Sequence, residues 1–222
     1  MESIVNKKLI VCDVCDTLYK SNTTFDFLKY LAAHERGFRF FLLQVISSKR
    51  FLLFYLLAIA GKIIKLDIIR LLSLRLLQGL KYSFLNKKAN EFYDQFLFFK
   101  RNEVIFNLLE KEKERSHLIL VSSSLDVVIK VIAERNKFNW ASSQMEVLNG
   151  IATGKLKNDL TGKKQIVATQ IMKEMGIQKL MVITDNRTDK ELVEMADERY
   201  IVIKSTEERE YWSSLNPHFI LI

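Results

Sequence analysis

Three short polar clusters stand out because each closes an apolar run. Asp13 follows KLIVC and opens Val14-Cys15-Asp16-Thr17; Ser122 ends HLILVS and is followed by Ser123 and Ser124; Asp185 ends LMVITD and is followed by Asn186, Arg187, Thr188 and Asp189. Hard divalent cations take carboxylate oxygens, and phosphates take hydroxyl and backbone N–H donors. Two acidic clusters and one hydroxyl cluster at one place could therefore hold a cation beside a phosphate. Each cluster alone is weak, since Asp, Asn, Ser and Thr are also what turns and helix N-caps prefer. Their meaning depends on the elements that position them.

The apolar runs read as strands: Lys8 to Asp13, His117 to Ser122, Leu180 to Asp185, Tyr200 to Lys204 and His218 to Ile222. Amphipathic stretches between several of them, at about Leu125 to Lys137, Lys163 to Met175 and Thr188 to Ala196, read as helices. Strands alternating with helices imply a mostly parallel sheet covered on both faces. Asn149-Gly150 between alternating residues predicts a type I′ hairpin within Met145 to Lys157. From Thr23 to Arg115 only helical spacing is visible, with breaks near Gly37, Gly61, Gly79 and Asn86, so four or five helices are expected there. The expected fold class is α/β: a Rossmann-like parallel sheet from residues 1–20 and 112–222, with an all-helical domain inserted at residues 21–111. Ligands in such sheets bind beyond the carboxyl ends of the strands, where all three polar clusters fall.

Composition narrows the class. Of 222 residues, 49% are apolar and 27% charged, with 7 Gly and 1 Pro, which excludes disordered, collagen-like and low-complexity chains. Two cysteines are too few for a disulfide scaffold, and residues 1–20 lack signal-peptide features, so a reduced, cytoplasmic setting is expected. Cys12 and Cys15 form C-x-x-C at a strand end without a second pair, which argues against zinc or redox use. His34, His117 and His218 are scattered and suggest no triad. The net charge is +8, and an excess of nine positive charges falls between His34 and Lys88, which also holds the densest apolar runs. The first reading of that segment is a packed helical bundle with solvated Lys and Arg heads. The second is a face resting on anionic membrane, which would make the protein membrane-peripheral. No nucleic-acid motif accompanies the charge, so no nucleic acid is expected as a partner. Trp140, Trp212 and the Phe-rich stretch 92–99 are expected to pack between sheet and inserted helices, and nothing in the sequence chooses an oligomeric state.

The order and spacing of the clusters resemble the haloacid dehalogenase (HAD) superfamily of hydrolases, in its phosphoserine-phosphatase-like branch with a helical cap after the first motif. Ile10-Val11-Cys12-Asp13-Val14-Cys15-Asp16-Thr17-Leu18 is similar to the first family motif, an apolar strand and Asp-x-Asp-x-Thr-Leu. Leu118 to Ser122 matches the second, Lys163 or Lys164 the third, and Met181 to Asp189 the fourth, an apolar strand and Asp-x-x-x-Asp. Lys163 is preferred, since Ile166 and Val167 then fall three and four positions on along an inward face.

The resemblance implies a Mg²⁺-dependent phosphatase. Asp13 would attack phosphorus and form an aspartyl-phosphate. Asp13, Asp185 and the backbone carbonyl of Cys15 would bind Mg²⁺. Thr17 and Ser122 would donate to phosphate oxygens, Lys163 would neutralise developing charge, and Asp189 would orient the lysine or a metal-bound water. The departure is Cys15, where the family pattern has the Asp that protonates the leaving oxygen and then activates water. A thiol with a pKa near ~8.5 replaces it poorly. Three readings remain open: a phosphatase for good leaving groups or with Asp16 or a water supplying the proton; a weakened member that binds phosphate or a partner without turnover; or another chemistry, dehalogenation being disfavoured because Asp185 and Asp189 keep the metal-type loop. The substrate expected is a small or lipid-linked phosphate ester. Phosphoserine is disfavoured because Tyr19 to Thr24 contains no acidic residue.

Overall fold

The computed structural model describes residues 7–64 and 67–222. Strand β1 (Lys8–Cys12) sits at the centre of a seven-stranded sheet. It pairs in parallel with β2 (Ser116–Leu125) on one side and with β5 (Leu180–Thr184) on the other. Beyond β2 lie β3 (Asn139–Leu148) and β4 (Ile151–Asn158); beyond β5 lie β6 (Glu198–Ile203) and β7 (His218–Leu221). Every neighbouring pair is parallel except β3–β4, an antiparallel hairpin. Its two-residue turn has Asn149 at φ 49° and Gly150 at φ 76°, the left-handed pair that a type I′ turn requires.

The pleat divides the core. Ile10 and Cys12 of β1 face one apolar layer, while Leu9 and Val11 face the other. The first layer is covered by α1 (Thr23–His34), α5 (Tyr82–Gln95), α6 (Glu103–Glu112) and α7 (Asp126–Asn136). The second is covered by α8 (Lys164–Met175), α9 (Lys190–Met195) and α10 (Glu208–Trp212). Trp212 is buried in this second layer, away from the inserted helices, because α10 folds back over β6 on the opposite face.

Between β1 and β2 the described residues contain six α-helices, one more than the four or five expected. Besides α1, α5 and α6 they are α2 (Phe38–Ser47), α3 (Leu52–Ile64) and α4 (Ile68–Leu76). Gly37 and Gly79 do mark breaks, whereas α3 runs through Gly61 and α5 through Asn86, since neither residue by itself stops a helix supported by its neighbours. Strand β3 starts six residues before Met145. Its first half, Asn-Trp-Ala-Ser-Ser, lacks an apolar pattern because buried Ser143 is satisfied by hydrogen bonds instead, accepting from the Leu160 N–H at 3.0 Å and donating to Asp159 at 3.2 Å.

The inserted helices are tied to the hairpin. Gly79 donates to the Ala152 carbonyl at 2.8 Å, and Ala152 donates back to the Leu80 carbonyl at 2.9 Å. Gly154 lets α4 approach β4 closely, since a Cβ there would lie 3.0 Å from Gln78 Cβ and 3.1 Å from Arg75 Cα. From α4, the Arg70 guanidinium donates to Asp159 at 3.0 and 3.1 Å, to Thr161 at 2.8 Å and to the Ser123 carbonyl at 2.8 Å.

Candidate active site

The three polar clusters meet at the carboxyl ends of β1, β2 and β5. Asp13 is 4% exposed, and its N–H donates to the Ile183 carbonyl at 2.9 Å, fixing the end of β1 against β5. Its Oδ1 accepts from the Val14 N–H at 2.7 Å and lies 2.8 Å from Lys164 Nζ. The same Nζ donates to Asp189 Oδ2 at 2.8 Å, an oxygen that also accepts from Thr184 at 2.7 Å. A lysine only 2% exposed is thus held between two buried carboxylates.

The lysine is Lys164, not Lys163. Helix α8 starts at Lys164, so Lys164 and Ala168, four residues apart, share its buried face while Lys163 and Ile166 point outward. The apolar pair Ile166 and Val167 misleads because Ile166 lies on the solvent side.

Thr17 also differs from expectation. Its hydroxyl donates to Asp185 Oδ1 at 3.0 Å and accepts from the Asp185 N–H at 2.9 Å. The proton is committed to orienting Asp185, and the fully buried side chain ties the loop after β1 to the loop after β5. Ser122 keeps its donor: its Oγ accepts from the Ser124 N–H at 3.2 Å, leaving the hydroxyl proton for an incoming acceptor. Asp16, at φ 52°, directs its carboxylate to Lys204 at 2.8 Å.

Cys15 occupies a hydroxyl-lined niche. Its Sγ lies 3.0 Å from Thr23 Oγ1 and 2.9 Å from Ser124 Oγ, which are 2.6 Å from each other. Burial pushes the thiol pKa up and Asp13 adds to the effect, so the group is protonated at neutral pH. Cys12 is fully buried with its thiol toward the Asp13 carbonyl at 3.2 Å, and neither cysteine is disulfide-bonded.

The electrostatics follow from this crowding. Burial pushes Asp13 up to about 6, with Lys164 opposing and Asp189 adding to the shift. Burial pushes Asp185 up to about 7, reinforced by Asp13 and Asp16. Burial alone would lower Lys164, yet Asp13 and Asp189 together hold it above its ordinary value, so it is charged. Asp13 and Asp185 repel each other, and of the nearby lysines Lys164 is shared with Asp189 and Lys204 is paired with Asp16, an arrangement a divalent cation would relieve. Asp189 Oδ1 is buried without a partner, an atom that a cation-bound water would satisfy. Among the described residues no three His, Cys, Asp or Glu side chains gather as a metal cluster. Two carboxylates suit a hard cation that retains several waters, and not a tetrahedral thiolate and imidazole site.

The model of the family described as haloacid dehalogenase-like hydrolase matches residues 10–194. The chain belongs to that family. Among solved structures, this HAD-family chain is similar to a protein of unknown function from Bordetella pertussis Tohama I (TM-score 0.82, 16% identity, 97% of this chain and 99% of that one). It is also similar to a HAD family hydrolase from Salmonella enterica subsp. enterica serovar Typhi (TM-score 0.68, 13% identity, 99% and 69%). A third likeness is to a substrate-bound phosphoserine phosphatase (TM-score 0.65, 18% identity, 96% and 92%). At such identities the likeness is one of fold. No curated protein sequence matches the chain significantly.

Several site residues carried no sequence signal of their own. Thr23 and Ser124 look like a helix start and a serine run, and Thr184 like the last residue of a strand. Lys204 is one of 34 basic residues. Only the convergence of strand ends brings them to Cys15, Asp189 and Asp16.

Proposed function

We propose that this HAD-family protein is a Mg²⁺-dependent phosphomonoester hydrolase in which Asp13 is the nucleophile. The observation that carries the reading is Lys164 buried between Asp13 and Asp189, with Asp185 repelling Asp13 across the same cleft. Asp13 Oδ1 is held by the Val14 N–H and by Lys164, which leaves Oδ2 to attack phosphorus. The new Asp13–phosphorus bond forms as the bond to the ester oxygen breaks, and attack of water on phosphorus then frees Asp13. Ser122 donates to a phosphate oxygen, and Lys164 balances the charge on the nucleophile and on the transferred group. Asp13, Asp185 and the Cys15 carbonyl are the groups that would hold Mg²⁺, which when bound screens the repulsion between the carboxylate and the phosphate.

The proton steps are where this chain departs from its family. The leaving oxygen needs a proton, and the attacking water must lose one. Cys15 is a protonated thiol already engaged by Thr23 and Ser124, and Asp16 is paired with Lys204. Neither is well placed to serve both steps, so substrates whose leaving groups need no proton should react fastest. The same observation favours a second reading, a HAD-fold module that binds phosphate or a partner without turnover.

The test is phosphate release from a panel of aryl, alkyl and acyl phosphates with and without Mg²⁺. The hydrolase reading expects metal-dependent turnover, faster on aryl and acyl phosphates, that disappears in Asp13→Asn. Phosphate and Mg²⁺ binding with no turnover on any member of the panel would move the conclusion to the binding module.

A further inference from the structure

Helix α3 breaks the usual relation between side chain and environment. It reads LLFYLLAIAGKII, with Lys62 its single charge, yet Gly61 is its one buried residue. Leu52 is 73% exposed and Ile63 75%, and Leu53, Tyr55, Leu56, Ile59 and Ile64 are exposed with them. A helix apolar all round belongs inside a core or a membrane. Among the described residues the main packing of α3 is on α2 and α4. Helix α2 continues the surface with exposed Phe38 and Phe41. Among the described residues no single helix is long and apolar enough to cross a bilayer. Taken together α2 and α3 meet that length and composition, but they are bent by 62°.

The charge around this surface is mostly positive, although exposed Asp67 also stands on the cavity wall. From Arg36 to Leu66 the sequence holds six Lys and Arg and no Asp or Glu. Arg36, Arg39, Lys49, Arg50 and Lys62 are exposed, and none forms an ion pair among the described residues. A second copy of this face would bring cations against cations, whereas an anionic bilayer supplies both the apolar depth and the opposite charge. Beneath α3 lies a cavity of about 600 Å³, whose walls include Phe25 of α1, Phe54, Leu57 and Ala58 of α3, and Ile68 and Ile69 of α4. Asn22 stands at its wall beside Thr23, the residue whose hydroxyl contacts Cys15.

We infer that the α2–α3 surface docks on an anionic lipid bilayer and that the cavity beneath it receives the apolar part of a phosphomonoester resident in that bilayer. The docking stands on the surface alone; the substrate class rests on the hydrolase reading above. Because Asn22 on the cavity wall adjoins Thr23 at the Cys15 niche, an apolar tail held in the cavity would direct its phosphate toward the strand ends.

The first experiment is sedimentation of the full chain with vesicles of phosphatidylcholine alone or with about one third phosphatidylglycerol. Binding is expected to the anionic vesicles only, weakened about tenfold or more by half-molar salt and by Lys49→Glu with Arg50→Glu, and weakened similarly by Ile59→Ser with Ile63→Ser. Asp13→Asn should bind like wild type. The second compares hydrolysis of a short soluble alkyl phosphate with a long-chain alkyl phosphate embedded in the anionic vesicles. The long-chain rate should exceed the short-chain rate, and Ala58→Trp, which fills the cavity, should abolish the advantage while sparing the short substrate. Absence of vesicle binding by folded wild type overturns the docking, as does dimerisation in light scattering that the Ile59→Ser, Ile63→Ser variant dissolves. Hydrolysis of the short substrate with no long-chain advantage overturns the substrate class and leaves the hydrolase reading standing. Vesicle binding without hydrolysis of either substrate overturns that reading, and the substrate class with it, while the docking stands.

Discussion

Lys164 and Ile63 sit in the wrong places by the ordinary rule. The lysine is charged and 2% exposed; the isoleucine is apolar and 75% exposed. At the strand ends the exception is supported from within, because Asp13 and Asp189 lie 2.8 Å from the ammonium and the cost of burying charge is met by pairing. On α3 nothing among the described residues answers the exposure, and the neighbouring cations find no acidic partners there. A buried charge with partners is a finished internal machine, and an exposed apolar face flanked mostly by positive charge is half of an interface. The two regions thus make opposite predictions about substitution: the first should be fragile in isolation, the second indifferent until its partner is present.

The largest effect should come from Lys164→Met. Removing the ammonium leaves Asp13 and Asp189 buried without their counter-ion, and a loss of about 3–5 kcal/mol in stability is expected from chemical denaturation, with loss of any turnover. Lys163→Met should change stability by less than about 0.5 kcal/mol, since its side chain is exposed. Equal effects of the two would break the assignment of Lys164.

Comparable in size and opposite in sense is Cys15→Asp. An aspartate there would accept from Thr23 and Ser124, the groups now beside the thiol, and would supply the acid and base that the proton steps lack. A rate gain of about 10² to 10⁴ on alkyl phosphates is expected, and a smaller one on aryl phosphates, measured as kcat/KM. A uniform gain across both classes would show that protonation of the leaving group is not what limits the reaction.

A few degrees should separate the metal-free and Mg²⁺-loaded forms, in a pH-dependent way. In the metal-free protein the pKa of Asp13 is raised to about 6 and that of Asp185 to about 7, from an ordinary value of 3.8. Folded values above unfolded ones contribute stability that is present in full below pH 4 and is lost as pH rises through 6 and 7. Melting temperature should therefore show a larger stabilisation by Mg²⁺ at pH 8 than at pH 5, where protons compete for the same oxygens. A shift that is the same at both pH values would place the cation elsewhere.

The smallest effect is expected on α3. Ile59→Ser with Ile63→Ser exchanges side chains that are already exposed, so stability in the absence of lipid should move by no more than about 0.5 kcal/mol per site. A loss of several kcal/mol by the same denaturation measurement would mean that α3 is packed in solution, and the contrast with Lys164 would collapse.

Much of this protein is determined by local pattern. Lys8 to Cys12, Leu118 to Val121 and Leu180 to Ile183 are strands because β-branched and leucine side chains fill both faces of a covered parallel sheet. Asn149-Gly150 is a type I′ turn because those two residues tolerate positive φ. The positions of Asp13, Ser122, Asp185 and Asp189 follow from strand ends, so they too are legible. What local pattern did not decide is which neighbours those residues acquire. Lys163 and Lys164 are identical in chemistry, and a difference of one residue in where α8 begins, some 100° of helix rotation, sends one to solvent and the other between two carboxylates. Thr17 is spent on Asp185 because β1 and β5 are adjacent in the sheet although 168 residues separate the two side chains. The polar half of β3 was invisible because its partners, the Leu160 N–H and Asp159, come from the far side of the hairpin. Burial has the same character: α3 and the buried strands are alike in apolar content, and only the three-dimensional packing, which leaves most of α3 exposed, separates a core element from a surface waiting to be covered.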